Sequence, residues 1–401
     1  MNILFLTLIE INSLDERGIY QDLLRKFASE GNIVTIVSPV ERRKGIKTNL
    51  INNGNVKILQ VKTFNIQKTN VIEKGIGTLA IEYQYLSAVK KYLSNQKFDL
   101  VLYSTPPITF GKVISYIKKR DNAYSYLLLK DIFPQNAIDM KMMKKGGLLH
   151  RYFLSKERKL YQISDTIGCM SEANVDFVLN HNPEVDKNKV EVNPNSIEPL
   201  EIYYSAEEKA AIRTKYNIPL DKKVLVYGGN LGKPQGVDFL LETMANTAHK
   251  EAFFLIVGDG TEFPKLKKWF DTSNPSNAML LQRLPKDDYD KMLASCDVGL
   301  IFLDKSFLIP NFPSRLLSYL EMKKPIIAAT DPNTDIGDII EKSGCGYKVL
   351  AGDVAQMTQS IDKLLEEDLD VMGQKGWDLL QQKYLVDYSY KMIYEKVKNN
   401  V

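Results

Sequence analysis

Histidine and cysteine are scarce in this 401-residue chain, which has three of each. Cys169, Cys296 and Cys345 lie far apart and form no C-x-x-C pair. That argues against a disulfide framework or a zinc site and fits a reducing compartment. His150, His181 and His249 end none of the apolar runs, so they read as surface or packing residues. No apolar run reaches the roughly 18 residues of a membrane-crossing helix. The apolar start, Met1 to Ile9, has no basic stretch before it and no small-residue cleavage site after it. It reads as a buried first strand, and the expected location is cytoplasmic, at most touching a membrane. Internal repeats and low-complexity segments are missing as well. There is no G-x-x-x-x-G-K-S/T loop, and the first strand lacks the G-x-G-x-x-G of nicotinamide enzymes.

What is present is the composition of a soluble globular protein, 44% hydrophobic and 25% charged, long enough for two domains. The net charge of +4 is unremarkable, and no nucleic-acid partner is expected. Its distribution is uneven. Residues 1–200 hold 28 Lys+Arg against 20 Asp+Glu, and the remainder holds 25 against 29. Such asymmetry fits different partners for the two halves, although solvated faces would give it too.

Short apolar runs alternate with amphipathic helical segments. The runs at 3–9, 33–37, 56–61, 100–103, 124–129 and 166–170 are continuous in Val, Ile and Leu rather than alternating. Strands of that kind are covered on both faces, which predicts a parallel sheet in an α/β, doubly wound layer. The pattern restarts after a polar connector at 193–222, with runs at 224–227, 253–257, 278–281, 298–303, 326–329 and 346–349. Two Rossmann-like domains are expected, 1–200 and 201–375, with a Tyr-rich helix at about 376–401 packing back on the first. Open parallel sheets bind ligands beyond the carboxyl ends of their strands. Two such domains facing across a cleft would hold one ligand each.

Three segments of the second half carry chemistry. In Val224-Leu-Val-Tyr-Gly-Gly-Asn-Leu-Gly-Lys-Pro-Gln-Gly-Val237 a strand enters a glycine-rich loop before a helix. Exposed N–H groups, the helix dipole and Lys233 suit a diphosphate there. Ile256-Val-Gly-Asp-Gly-Thr-Glu262 is a second strand ending in a turn. In Pro310-Asn-Phe-Pro-Ser-Arg-Leu-Leu-Ser318, Ser314 is placed as an N-cap beside unpaired N–H groups, and Arg315 as a bidentate phosphate ligand. In the first half, Asp131 follows the run 124–129 and is placed to orient or deprotonate an acceptor hydroxyl. Glu172 is a second acceptor-side candidate. The stretch 141–161 mixes basic and large apolar residues in a way that suits an anionic membrane surface.

The three segments, in this order and spacing, resemble glycosyltransferase family four, of the GT-B fold. Lys130-Asp-Ile-Phe-Pro-Gln135, Glu157-Arg-Lys-Leu-Tyr-Gln-Ile-Ser-Asp165 and Met170-Ser-Glu172 are similar to the same family. The chain looks most like its WbuB-like branch of capsule and O-antigen amino-sugar transferases. The resemblance implies a retaining, metal-independent transferase without a cofactor. Its donor would be a UDP-sugar, such as one carrying the N-acetylated deoxyhexosamine FucNAc, held by the C-terminal domain. Its acceptor would be a polyprenyl-diphosphate-linked saccharide. The resemblance places Gly229, Asn230, Gly232, Gln235, Gly258, Asp259, Ser314, Leu316 and Ser318 at the donor, with Gly18 as the small residue that admits its phosphate. Asp131, Lys233 and Arg315 are then the catalytic set.

Two departures stand out. The family's basic pair aligns with Asn230 and Gln235, and its E-x7-E pair with Pro310 and Ser318. A UDP-sugar 2-epimerase of the same fold and a catalytically silent partner subunit therefore stay open as alternatives.

Overall fold

Runs of Val, Ile and Leu that are apolar on both faces pair in parallel where helices cover both sides of the sheet. The computed structural model describes residues 1–66 and 71–400. It divides into two units, Met1–Glu198 with Leu385–Val401, and Pro199–Tyr384.

The first unit contains β1 (Asn2–Leu6), β2 (Ile33–Glu41), β3 (Asn49–Asn53), β4 (Val56–Thr63), β5 (Leu100–Ser104), β6 (Tyr124–Leu129), β7 (Thr166–Cys169) and β8 (Val190–Val192). They form one sheet in the order β3-β4-β2-β1-β5-β6-β7-β8. All neighbours are parallel except β3, which runs antiparallel to β4. Helix Ile19–Ser29 lies between β1 and β2 in the chain and buries Tyr20, Leu23, Leu24 and Phe27. The last helix, Val386–Lys398, adds Tyr390, Ile393 and Val397 to the same core. Lys26 ties the two helices through Asp387 at 2.8 Å.

The second unit contains β9 (Lys223–Asn230), β10 (Ala252–Asp259), β11 (Ala278–Gln282), β12 (Val298–Phe302), β13 (Ile326–Thr330) and β14 (Gly346–Leu350). The order is β11-β10-β9-β12-β13-β14, all parallel. This is the Rossmann arrangement, in which the order reverses between β9 and β12. The connector helix Ala206–Lys215 starts in a capping box between Ser205 and Glu208.

Two details correct the sequence reading. The return to the first unit begins at Leu385, not near 376. Helix Leu369–Lys383 stays in the second unit because Trp377 and Leu380 are buried there, and Gly376 packs against Leu320. The first unit takes over where Val386 N–H reaches the Ile197 carbonyl at 3.1 Å. Strands β3 and β8 were also missed. The Asn-rich β3 lies on an exposed edge and shows no apolar signature, and β8 has only three residues.

Helix Leu148–Ile163 buries Glu157, whose Oε1 accepts from Tyr161 Oη at 3.0 Å. Burial lifts this carboxyl from 4.5 to about 7, although the Tyr161 hydrogen bond pulls the other way. The folded chain thus favours the protonated acid. That stabilisation is complete below pH 4.5 and is lost as pH rises through about 7. Glu157→Gln keeps an acceptor for Tyr161 and removes the titration. We expect it to be more stable than wild type at pH 8 by about 1–3 kcal/mol, with the gap closing near pH 4.5. Thermal melts across that range would refute this assignment if both proteins followed the same curve.

Candidate functional site

The second unit's site is built at the reversal between β9 and β12. β9 carries its pairing to the end of the glycine pair, so that Gly229 lies beside Gly258 and Asn230 beside Asp259 of β10. The two backbones approach so closely that a Cβ on Gly258 would run into the Gly229 carbonyl oxygen. Gly229 has φ of +123°, a conformation that side chains rarely adopt. Gly258→Ala is therefore expected to cost about 1–3 kcal/mol of stability and to weaken UDP binding. Denaturant unfolding with a UDP titration checks both, and an unchanged midpoint would contradict the close packing. Beyond β9, Lys233–Gln235 form a short turn that Asp304 N–H fixes through the Pro234 carbonyl at 3.0 Å. Helix Val237–Asn246 then starts at Gly236 with no side-chain cap on its first amides.

Arg315 reaches this loop from the helix Arg315–Glu321. It is not a solvated first-turn residue. Its guanidinium lies over the Tyr227 ring, 4.2 Å from the centroid, and Nη2 donates to Gln235 Oε1 at 2.7 Å. A Cβ on Gly229 would lie 3.7 Å from Nη2. Nη1 is buried and has no hydrogen-bond partner among the described residues. Tyr227 Oη, within 3.1 Å of both the Asn230 carbonyl and Gln235 Oε1, supports the same group. Tyr319 Oη donates to the Leu300 carbonyl at 3.0 Å and holds the helix under β9 and β12.

The structure thus brings Gly229, Gln235, Gly258 and Arg315 together, with Asn230 next to Gly232. Asp259 is exposed and accepts from Gly260 N–H at 2.9 Å. Lys233 is exposed on the turn. Ser318 is half-buried one turn beyond Ser314. Two expectations need correction. Ser314 occupies the cap position of a seven-residue helix, but its φ and ψ are helical and its side chain makes no capping bond. Leu316 is fully buried and its N–H goes to the Pro313 carbonyl at 3.2 Å, so it serves packing. Tyr227 escaped the sequence reading; an aromatic closing the strand just before the glycine pair was the available signal.

In the first unit the candidates sit at the carboxyl edge of the sheet. Asp131 is half-buried two residues beyond β6. Its N–H donates to Thr105 Oγ1 at 3.1 Å, and its Oδ1 accepts from Asn136 Nδ2 at 2.7 Å. Burial raises its carboxyl pKa, while the hydrogen bonds from Asn136 and the Ile132 backbone pull it down. Next to it, Lys130 Nζ donates to the Asn193 carbonyl at 3.3 Å. Desolvation lowers this ammonium from 10.5 to about 7. A lysine directly after a wholly apolar strand is the sequence signal for this group. Glu172 is exposed at the start of helix Glu172–His181. Gly18 precedes helix Ile19–Ser29 with extended backbone, φ 175°, so its conformation does not require glycine. A Cβ there would meet only the end of the Gln21 side chain.

Among the described residues, no group of three or more His, Cys, Asp or Glu side chains could hold a metal ion. None of the described helices is long and apolar enough to cross a membrane.

Residues 208–376 match the family of glycosyl transferases group 1. A probable glycosyltransferase, WbjE of Pseudomonas aeruginosa, is 24% identical over 319 residues, covering 79% of this chain and 78% of the relative. A putative colanic acid biosynthesis glycosyl transferase, WcaI of Escherichia coli, is 23% identical over 201 residues, 49% of this chain and 48% of the relative. Among solved structures, Anabaena HepE in complex with UDP superposes with a TM-score of 0.71 at 13% identity, covering 100% of both chains.

Proposed function

We propose that this chain, whose residues 208–376 match the glycosyl transferases group 1 model and whose fold is GT-B, moves a sugar from a UDP-sugar to a polyprenyl-diphosphate-linked saccharide in bacterial capsule or O-antigen synthesis. The observation that carries the donor side is the guanidinium of Arg315, held beside Gly229 with Nη1 unpartnered. A diphosphate leaving group gathers negative charge as the glycosidic bond breaks. A preorganised cation and the open amides of helix Val237–Asn246 stabilise that charge without a metal or cofactor. Lys233, exposed on the turn, adds a second cation.

The reaction retains the anomeric configuration. The acceptor oxygen bonds to the anomeric carbon on the face that the diphosphate leaves, through an oxocarbenium-like state. The acceptor's proton passes to Asp131 or to the departing phosphate oxygen. The names of the relatives support the polysaccharide context, one being assigned to colanic acid biosynthesis, and the UDP complex of HepE supports UDP as the carrier. FucNAc is our candidate sugar, on the sequence resemblance alone. The work site is the cytoplasmic face of the membrane, with 141–161 as the contacting segment.

The test incubates the purified chain with a panel of UDP-sugars, with and without lipid-diphosphate-linked saccharides, and reads the product anomer by NMR. Transfer with retention, only when acceptor is present, is expected. An epimerised donor in the absence of acceptor, or no turnover with any pair, would overturn the proposal.

A further inference from the structure

In the first unit, three helices, Val71–Tyr92, Gly111–Asp121 and Leu148–Ile163, enclose a groove of about 430 Å³. It lies apart from Asp131 and is lined by Ile108, Gly111, Ser115 and Tyr116, with Lys112, Lys119, Lys156 and Lys159 among its walls. One carboxylate, Glu82, faces these four ammoniums. It is already engaged, by Lys156 Nζ at 3.0 Å and by Lys112 N–H at 2.6 Å. Lys119 and Lys159 are exposed and have no carboxylate partner among the described residues. Gly111 puts no side chain on the floor, and a Cβ there would make ordinary contacts, at 3.7–3.9 Å, with the Lys159 stem, Glu82 and Ile163.

The rim is apolar where water would be expected. Leu148, Tyr152, Lys156 and Lys159 recur at helical spacing and so share one face of their helix. Leu148 is 88% exposed and Leu149 56%. On the neighbouring helix, Leu79 and Tyr83 are one turn apart and 50% and 58% exposed. Lys112 lies over the Tyr83 ring at 4.1 Å, and Lys156 over Tyr152 at 5.6 Å. Exposed aromatic and leucine side chains around a cationic groove with an apolar floor match an amphiphile with an anionic head, not a free anion.

We propose that this groove seats one anionic phospholipid. Its phosphate rests on Lys119 and Lys159 and its acyl chain on the floor, while Leu79, Tyr83, Leu148 and Tyr152 enter the interfacial layer. The proposal deepens the lipid-linked-acceptor reading and rests on it for its purpose. The binding test contains neither donor nor acceptor, so it succeeds or fails apart from transfer.

Co-sedimentation compares vesicles of phosphatidylcholine with vesicles containing one-third phosphatidylglycerol. Wild type is expected to prefer the anionic vesicles at least about 25-fold. Each lysine near such a surface contributes roughly fivefold, so K119A/K159A should lose about 25-fold. Gly111→Leu and Ser115→Leu fill the floor without changing charge. Each should weaken binding severalfold, with wild-type thermal midpoints and wild-type turnover of a short-chain soluble acceptor confirming the fold. Equal binding to both vesicle types overturns the proposal. So does wild-type binding by both floor variants, which would mean diffuse attraction only. Displacement by millimolar inorganic phosphate would identify a free-phosphate site and overturn it as well.

Discussion

Arg315→Ala is expected to lower kcat/KM for the UDP-sugar donor by about 10²–10³-fold, or roughly 2.7–4 kcal/mol of transition-state stabilisation. Gln235 and Tyr227 position the guanidinium beside Gly229 with its Nη1 buried. Its removal leaves Gln235 Oε1 with the Tyr227 hydroxyl as a donor, so the fold loses little. Kinetics and stability should therefore separate, with a large fall in kcat/KM and a small change in thermal midpoint. Arg315→Lys restores the charge but not the planar fork that spans Gln235 and the Tyr227 face, and it should recover about tenfold at most. UDP calorimetry and steady-state kinetics on both variants check this. A kcat/KM within threefold of wild type for Arg315→Ala would mean that the diphosphate lies elsewhere.

This site was only partly legible in the sequence. Apolar runs fixed by burial on both faces located β1, β2, β4 to β7 and the six strands of the second sheet, because continuous Val, Ile and Leu leave few other structures open. Gly229 was readable as part of an anion-approaching loop and Gly258 as part of a turn, but the close approach of their two backbones was not. The environment of Arg315 was hidden. Its ring partner Tyr227 and its acceptor Gln235 lie 88 and 80 residues earlier in the chain, and no local pattern encodes such distances. Ser314 shows the converse failure. Its residue type favours a cap, yet its dihedrals are helical and its hydroxyl makes no capping bond.

The two departures from the family pattern acquire a physical reading together. Gln235, which the sequence resemblance aligns with a family cation, gives its carbonyl oxygen to Arg315. A lost side-chain cation is thereby replaced by a residue that positions another one. The Glu321 carboxylate, one turn beyond Ser318, accepts from Leu200 N–H at 2.9 Å and anchors the connector. In the proposed reading, the donor grip therefore rests on backbone amides and a positioned guanidinium. Such a grip binds the phosphates well and leaves sugar recognition to other groups.

Asp131→Asn is expected to reduce kcat for transfer by about 10²–10⁴-fold while leaving the donor KM near the wild-type value. Asparagine keeps the Oδ1 acceptor for Asn136 Nδ2 and the Thr105 contact is made by the main chain, so the substitution removes charge and little else. The pH profile separates a base from a structural carboxylate. Burial raises the Asp131 pKa, so the wild-type kcat/KM for the acceptor should climb as pH rises through that raised value, and the variant should lack this limb. Lys130, held near neutrality at about 7, lies beside it and loses its charge over the next interval, so a Lys130→Met control keeps the acid limb and alters the alkaline side. UDP binding, measured without acceptor, should be unchanged in both variants because the donor grip belongs to the other unit. If Asp131→Asn transferred sugar at the wild-type rate with an unshifted acid limb, the proton would have to leave through the diphosphate oxygen itself, and Asp131 would serve only to hold Asn136.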